Sequence, residues 1–490
     1  VKKVFQTETA MTLNELLEAI ETVEICGETS CEITGIVYDS RRALPGSLFV
    51  ALHGEKADGA AYIEDAVQRG AVAIISQTPC ASGGSFPCAQ VDDARLALAK
   101  LSAAFYGHPS AQLCTVGITG TNGKTTVSFM LREIFKAAGR RPGLLGTVRY
   151  EIGDRVIPAS RTTPEAPDLQ AMFAQMDRAG CDSAIMEVSS HALAQHRVDG
   201  ILYDAAIFTN LTQDHLDYHG TLEEYFNVKA RLFNQVRRFA VINCDDPWGE
   251  RLLNEKKFLA GRVSYGFGEG AEVRGLNPVT DTKGSRMLVK SPWGDAEIGL
   301  QLIGRFNLYN ALAAFAAAAA LGIPVVIIAK ALAEMQCVPG RLEAVPNSKN
   351  RRVFVDYAHT DDALLNVLET LREITPGRLV AVFGCGGNRD KGKRPLMGKV
   401  AARLADYSII TNDNPRNEVP EKIAADIAAG FDSDRKYEIV LDRKAAIARG
   451  LELIGKKDVL LVAGKGHEAY QEFNGTIFPF DDREAVREAI

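Results

Sequence analysis

Between an apolar run and a helix-forming stretch, the chain passes through Gly117-Ile118-Thr119-Gly120-Thr121-Asn122-Gly123-Lys124-Thr125-Thr126. No other segment limits the possible folds as much. Glycines let the backbone turn tightly, so that successive amides face one point. Lys124 adds a mobile positive charge, and the start of a helix favours an anion. A strand, a glycine loop and a helix in that order are one half of a parallel βαβ unit. The strict phosphate-loop spacing would need glycine at 118, where Ile118 stands. The loop is therefore a variant, with Gly120, Thr121, Asn122, Gly123, Lys124, Thr125 and Thr126 set around nucleotide phosphates and the Thr125 hydroxyl suited to Mg²⁺.

The sequence around this loop repeats the same grammar. Strand-like runs at 113–118, 183–188, 205–209 and 240–243 alternate with helical stretches, which predicts a mostly parallel sheet covered on both faces. Shorter alternating stretches over 274–302 read as a hairpin excursion. Residues ahead of Gly107-His108-Pro109-Ser110 form a separate small unit, with strands over 33–38, 47–52 and 71–76 and helices over 13–20, 61–70 and 95–105. A third unit begins after Pro339-Gly340-Arg341, with strands over 353–356, 379–383, 407–411 and 459–463. Each of these strands runs into polar or glycine-rich sequence, where open α/β sheets put ligands. The expectation is an α/β chain of three domains: a small α/β domain over 1–109, a central P-loop domain with a mostly parallel sheet over 110–338, and a Rossmann-like α/β domain over 339–490.

Composition narrows the function. With 46% hydrophobic and 24% charged residues the chain is neither disordered nor fibrous. Its net charge of -6, from 56 Lys+Arg against 62 Asp+Glu, offers no general basic field to nucleic acid, although a local basic cleft can still hold an anion. Nine cysteines without a CxxC pair read as free thiols in a reducing compartment. After Lys2 and Lys3 there is no apolar core for a signal peptide. The uncharged run over 311–329 is long enough for a membrane span, but it is mostly alanine and is broken at Gly322-Ile323-Pro324. It reads as a buried helix over 308–321, a turn, and a second helix opening at Pro324.

Further motifs stand at predicted strand ends. Glu187-Val188-Ser189-Ser190-His191 and the stretch from Thr209 to Asp217 place Glu187 and His215 where they could converge on the phosphates and a divalent ion. His191, His196 and His219 read equally well as hydrogen-bonded buried histidines, and no zinc site is expected. Lys229, in a helical run over 225–233, reads on residue chemistry alone as a solvated lysine, and Arg197 as either an anion contact or an ordinary polar residue. In the third unit the stretch from Gly384 to Arg394 is glycine-rich and basic. Arg416, in Asp413-Asn414-Pro415-Arg416, can grip a carboxylate with two parallel hydrogen bonds. The carbonyls of Gly464-Lys465-Gly466-His467 and the Glu468 carboxylate could receive an ammonium group. An arginine fork and an acid together suit an amino acid; the alternative is ordinary loop polarity.

Together these motifs, with Asp39-Ser40-Arg41, Gln195-His196-Arg197, Gly304-Arg305-Phe306-Asn307, Gly340-Arg341 and Asp356-Tyr357-Ala358-His359, resemble the Mur ligases, ATP-dependent amino-acid ligases of peptidoglycan synthesis. The resemblance spans essentially the whole chain and points to the members that add the third residue. It implies UDP-N-acetylmuramoyl-L-alanyl-D-glutamate, meso-2,6-diaminopimelate and ATP as substrates, two Mg²⁺ ions, and a monomeric cytoplasmic enzyme without nucleic-acid or membrane partners. By motif, Ser40 and the His53-Gly54 turn meet the uridine diphosphate, and Thr162, Thr163, Ser189 and Arg197 the muramoyl peptide. Asn307, Arg341, Asp356 and Tyr357 join the phosphate loop at ATP. Thr125, Glu187, His215 and Lys229, the last as an N6-carboxylysine, are the implied metal ligands. Lys124 and His359 complete the catalytic set, with His359 or a carboxylate such as Glu468 as the base for the incoming amine. Arg389, Asp413, Asn414, Pro415, Arg416, Gly464 and Glu468 form the implied amino-acid pocket. Asn414 and Arg416 favour diaminopimelate, whose distal carboxylate L-lysine lacks. L-Lysine is the nearest alternative acceptor; a folylpolyglutamate synthase and a nucleotide-gated binding protein are more distant ones. One departure is Asp361, where many relatives have proline.

Overall fold

A computed structural model describes residues 11–54, 58–79, 86–255, 257–432 and 436–489. Lys2, Lys3 and Cys80 lie outside the described residues. Three larger sheets carry the fold, each in an α/β setting.

The largest sheet has eleven described strands. Its seven parallel members run in the order Pro142–Leu145, Ser183–Glu187, Cys114–Thr119, Tyr203–Phe208, Val236–Asn243, Gly261–Gly266 and Val273–Asp281. Antiparallel strands extend both margins: Arg149–Ile152 and Arg155–Pro158 on one side, Gly284–Lys290 and Ala296–Leu300 on the other. The hairpin excursion over 274–302 is thus part of the main sheet. Register positions the site: Glu187 lies opposite Ile118, and Phe208 opposite Thr119. The loops after these strands therefore leave the sheet along one edge.

Side chains alternate between two cores, as strand geometry demands. Val116, Ile118, Ile185, Ala205 and Ile207 pack under the helices Lys124–Ala137 and Arg305–Ala320. Ala184, Met186, Ala206 and Phe208 face the opposite core, with Leu169 and Phe173 of the helix Ala166–Arg178. Ala311 and Ala313 to Ala318 are completely buried. Their small side chains bring the helix close to the sheet, which explains a charge-free run inside a globular core. It is followed by the helix Val325–Glu334. Among the described residues no helix is long and apolar enough to cross a membrane.

The first unit has a five-stranded sheet in the order Glu24–Cys26, Cys88–Gln90, Ala71–Ser76, Ser47–Val50 and Gly35–Val37. The strand expected over 33–38 is divided. Glu32–Ile33 pairs with Met11–Thr12, and Gly35–Val37 joins the sheet. Between them Thr34 is held sideways, its backbone N–H on Gly46 and its hydroxyl on the Pro45 carbonyl. The expectation of free thiols throughout is corrected at Cys88, which is disulfide-bonded; the other described cysteines are free.

The third sheet runs Glu343–Ala344, Arg352–Asp356, Val459–Ala463, Leu379–Phe383, Tyr407–Ile410 and Tyr437–Ile439, parallel after the first pair. Val459–Ala463 thus sits between two strands that precede it by some eighty to one hundred residues. The hairpin Tyr470–Phe473 and Thr476–Pro479 was not expected; its Phe473 bridges to Arg416. Asp361 opens the helix Asp361–Ile374 behind the Thr360 cap, where a helix N-terminus favours an acid.

Candidate active site

The phosphate loop closes on its own carbonyls. Lys124 Nζ donates to Gly120 O at 2.9 Å and Thr121 O at 2.8 Å. Gly120 has φ +145°, and a Cβ there would lie 1.9 Å from Thr209 Oγ1, so only glycine fits. The Thr125 hydroxyl donates to Glu187 Oε2 at 2.9 Å and accepts from Arg341 at 3.1 Å. Glu187 is wholly buried and is held further by the backbone N–H and hydroxyl of Thr147, each at 2.9 Å. A buried carboxylate and a hydroxyl beside a lysine form a hard-oxygen pair of the kind that takes Mg²⁺ with phosphate.

Lys229 corrects the solvated reading: it is 1% exposed. Its Nζ donates to Gly120 O at 2.8 Å and lies 4.5 Å from the Tyr225 ring centroid. Burial, reinforced by the Lys124 charge, pushes its ammonium pKa well below the ordinary lysine range. An amine held neutral is the form that captures carbon dioxide, so this position suits the implied carbamate.

A cavity of about 550 Å³ collects these groups with Thr162, Ser189, His215, Asp356, Tyr357 and His359. Burial brings His215 down to about 4, although Asp214 Oδ2 stands 3.3 Å from its Nε2. Burial does the same to His359, also to about 4; its Nδ1 donates to the Tyr357 carbonyl at 2.9 Å, leaving Nε2 as an acceptor. Arg341 stacks over Tyr357 at 4.6 Å. Asp356 is taken up by the backbone N–H groups of Leu342 and Ala358, both at 2.6 Å. Asn307 does not line this cavity. Its amide caps the Ile303 carbonyl at 2.9 Å, whereas Asn310, one helical turn on, does line it. Among the described residues no group of three or more His, Cys, Asp or Glu side chains is arranged to hold a metal by itself.

The residues read as peptide contacts flank this cluster. Thr162 Oγ1 is 3.0 Å from Thr147 Oγ1, and Thr163 Oγ1 donates to the Glu187 carbonyl at 2.9 Å. Ser189 caps the short helix Ser190–Ala194. Arg197 donates to the Thr163 carbonyl at 3.1 Å and pairs with Glu165 at 3.0 Å, while its buried Nε has no partner. Ser40 and His53 lie apart on the first unit: Ser40 is buried in a tight turn, and His53 is exposed beside Asp58. Neither lines the cavity.

The third unit supplies a second cluster. Asn414 Nδ2 donates to Glu468 Oε2 at 3.0 Å. Arg416, at φ +53°, donates to the Gly387 carbonyl at 2.9 Å, and its Nε is 3.3 Å from Glu472. Its fork is therefore partly engaged by its own loops. Arg389 is exposed on the glycine-rich loop. A Cβ on Gly464 would lie 2.5 Å from Asp413 Oδ2. The Tyr357 hydroxyl, 3.5 Å from Glu468 Oε1, joins the two clusters.

Three family models match along the chain: the Mur ligase family catalytic domain at 32–106, the Mur ligase middle domain at 118–318 and the Mur ligase glutamate ligase domain at 340–466. Relatives named UDP-N-acetylmuramoyl-L-alanyl-D-glutamate--2,6-diaminopimelate ligase match over nearly the full length. That of Caldanaerobacter subterraneus subsp. tengcongensis is 43% identical, over 98% of this chain and 99% of the relative. That of Geobacter metallireducens is 44% identical, over 98% of each. The chain belongs to the Mur ligase family. A solved structure of a ligase with the same name as these relatives superposes on this Mur ligase with a TM-score of 0.71, at 34% identity over 98% of this chain and 99% of the other.

In this Mur ligase the sequence reading overlooked Thr147, Asp362 and the role of Lys465. Thr147 follows Gly146 after an apolar strand, the same signal that marked the other loops. Asp362 accepts from the Asn122 amide at 2.7 Å and the Thr212 hydroxyl at 3.2 Å, tying the third unit to the phosphate loop. No local pattern announces such a contact.

Proposed function

We propose that this Mur ligase joins meso-2,6-diaminopimelate to UDP-N-acetylmuramoyl-L-alanyl-D-glutamate, converting ATP to ADP and phosphate, in the cytoplasm and as a monomer. The observation that carries the reading is one cavity in which a phosphate loop, a buried carboxylate, a buried lysine and a histidine from the third unit meet. The names of its full-length relatives supply the acceptor. The division of labour follows the segments 1–109 for the uridine nucleotide, 110–338 for ATP and 339–490 for the amino acid.

An amide cannot form directly from a carboxylate at a useful rate, because the leaving group would be oxide. The D-glutamyl carboxylate attacks the γ-phosphorus of ATP, a P–O bond to ADP breaks, and an acyl phosphate results. Lys124 and Arg341 face the charge on the transferring group. Mg²⁺, when held by Thr125, Glu187, His215 and the Lys229 carbamate, supplies further charge stabilisation there. Thr162, Thr163, Ser189 and Arg197 orient the peptide, and Ser40 and His53 hold its uridine end. Gly120, Thr121, Asn122, Gly123, Thr126, Asp356 and Tyr357 hold ATP, with Asn307 supporting that wall through its helix. The diaminopimelate amine, deprotonated with His359 Nε2 as acceptor, attacks the acyl carbon, and phosphate leaves. Arg416 and Arg389 answer its distal carboxylate, while Asn414, Pro415, Asp413, Gly464 and Glu468 shape the ammonium side. L-Lysine lacks that carboxylate and would leave unanswered the part of the Arg416 fork that Gly387 and Glu472 do not engage.

The test is phosphate release from ATP and Mg²⁺ with the uridine nucleotide substrate and diaminopimelate, L-lysine or no amino acid. Release with diaminopimelate alone, with the tripeptide product seen by mass, is expected. Release with L-lysine alone would overturn the acceptor, and none with any of them would overturn the substrate.

A further inference from the structure

Lys465 is completely buried, and no step above uses it. Its Nζ donates to Asn414 Oδ1 at 3.0 Å and to Glu468 Oε2 at 3.4 Å, and stands 3.6 Å from Asp413 Oδ1. Asn414 Oδ1 also accepts the Glu472 backbone N–H at 3.1 Å. Two donors on one oxygen fix which way the amide points, so its NH₂ must face Glu468. Among the described residues Glu468 Oε1 keeps only a long contact, 3.5 Å, with the Tyr357 hydroxyl.

The charges can be followed group by group. Asp413, which is buried, and Glu468, whose side chain is 20% exposed, are two carboxylates in one corner. Arg443 is nearby, but its guanidinium is taken by Asp482, with two hydrogen bonds of 2.7 Å. Tyr357 and Tyr470 face Glu468 as neutral phenols, burial and the Glu468 charge both holding their pKa values up. Lys465 is thus the cation that stands between the two acids.

We propose that Lys465 is the positioning residue of the amino-acid subsite. By offsetting Asp413 and locking the Asn414 amide, it leaves Glu468 Oε1 as a single negative acceptor for the substrate's ammonium group. Specificity for a doubly charged amino acid then rests on the triad Asp413–Lys465–Glu468 as well as on the arginines. Burial and the Asp413 charge already push Glu468 above the usual carboxylate range, and Lys465 and Asn414 pull it back. Without Lys465, Glu468 would hold its proton to higher pH and lose the ammonium.

The inference rests on reading 413–416 and 464–468 as the amino-acid subsite, and Glu468→Gln tests that reading separately. If Glu468→Gln leaves KM for diaminopimelate unchanged, the subsite reading fails and takes the inference with it. If Glu468→Gln raises that KM, Lys465→Met decides. The expected result is a rise of about 10- to 100-fold in KM for diaminopimelate at neutral pH, the span of one lost charged hydrogen bond. KM for ATP and for the uridine nucleotide should stay within about threefold, and the acid limb of kcat/KM for diaminopimelate should move to higher pH. Adding Asp413→Asn to Lys465→Met should move that limb back. An unchanged KM, or an equal rise for all three substrates, overturns the proposal. Should Lys465→Met fail to fold, Asp413→Asn alone decides: the limb should move to lower pH, and an unmoved limb overturns the proposal.

Discussion

At the scale of single residues, environment decides chemistry. Lys229 has the same side chain as any surface lysine, but burial against Gly120 and Tyr225 pushes its ammonium pKa well below the ordinary lysine range. Lys229→Arg cannot be neutralised or carbamylated, and we expect kcat to fall by at least about 100-fold, as when one charge-stabilising group is lost. Phosphate release measured with and without added bicarbonate checks this: bicarbonate should raise the wild-type rate and leave the variant unmoved. Sequence reading could not reach this burial, because Lys229 stands in a short helix that also exposes the polar Glu223, Glu224 and Asn227, and nothing local sets it apart from them. It reached Glu187 and His215 because each follows an apolar strand. It placed Asn307 at the nucleotide although that amide turns onto the Ile303 carbonyl just ahead of its helix, since which of Asn307 and Asn310 turns outward depends on where the helix begins.

Histidines give a residue-scale prediction for pH. His359 and His467 are held neutral by burial, at about 4 and about 3. In the unfolded chain they titrate near 6.5, so below that pH the unfolded state binds more protons than the folded one. Stability should therefore fall as pH drops from about 6.5 towards 4, and His359→Gln should flatten part of that slope. Chemical denaturation of the ligand-free enzyme at a series of pH values measures it; a slope unchanged by the substitution would contradict the assignment.

At the scale of elements, the aligned ends of the parallel strands do the positioning. The phosphate loop fits only because Gly120 approaches Thr209 so closely. Gly120→Ala should cost about 2 kcal/mol or more, from the positive φ and the overlap together, and should weaken ATP binding. Thermal unfolding and nucleotide titration read the two effects separately. The central strands of the middle and third sheets were legible because apolar runs buried on both faces leave little ambiguity. The margins were not. Pro142–Leu145 carries proline and glycine, Arg155–Pro158 is largely exposed, and Tyr437–Ile439 is a three-residue edge strand. In such segments tertiary pairing, more than local preference, makes the strand.

At the scale of the whole molecule, single polar contacts tie one unit to the next. Asp362 receives the Asn122 amide across the junction, and burial holds its carboxyl above the usual range. Asp362→Ala should raise KM for ATP several-fold and lower the melting temperature by only a few degrees, since the partners can turn to water. Equal KM values in variant and wild type would remove this contact from the account. One polar tie between the first unit and the middle one is of another kind. Arg42 pairs with Asp168 at 3.0 Å but is 42% exposed, which limits that pair to about 1 kcal/mol or less. Such long-range ties were invisible in the sequence, because nothing near either partner marks the other.

The placement of Val459–Ala463 between Arg352–Asp356 and Leu379–Phe383 has a consequence for how the protein is made. During translation the chain supplies both flanking strands long before the one that joins them. Each must wait with an open edge, exposed to wrong partners, until the ribosome has released residues beyond 463. The middle sheet has a shorter wait of the same kind, since Ser183–Glu187 enters between Cys114–Thr119 and Pro142–Leu145, but its parallel strands are complete by Asp281, so its ATP loop can be in place while the third unit is still unfinished. A stalled or prematurely stopped chain would then be a nucleotide binder without an acceptor side, with the makings of a competitor for its own intact copies.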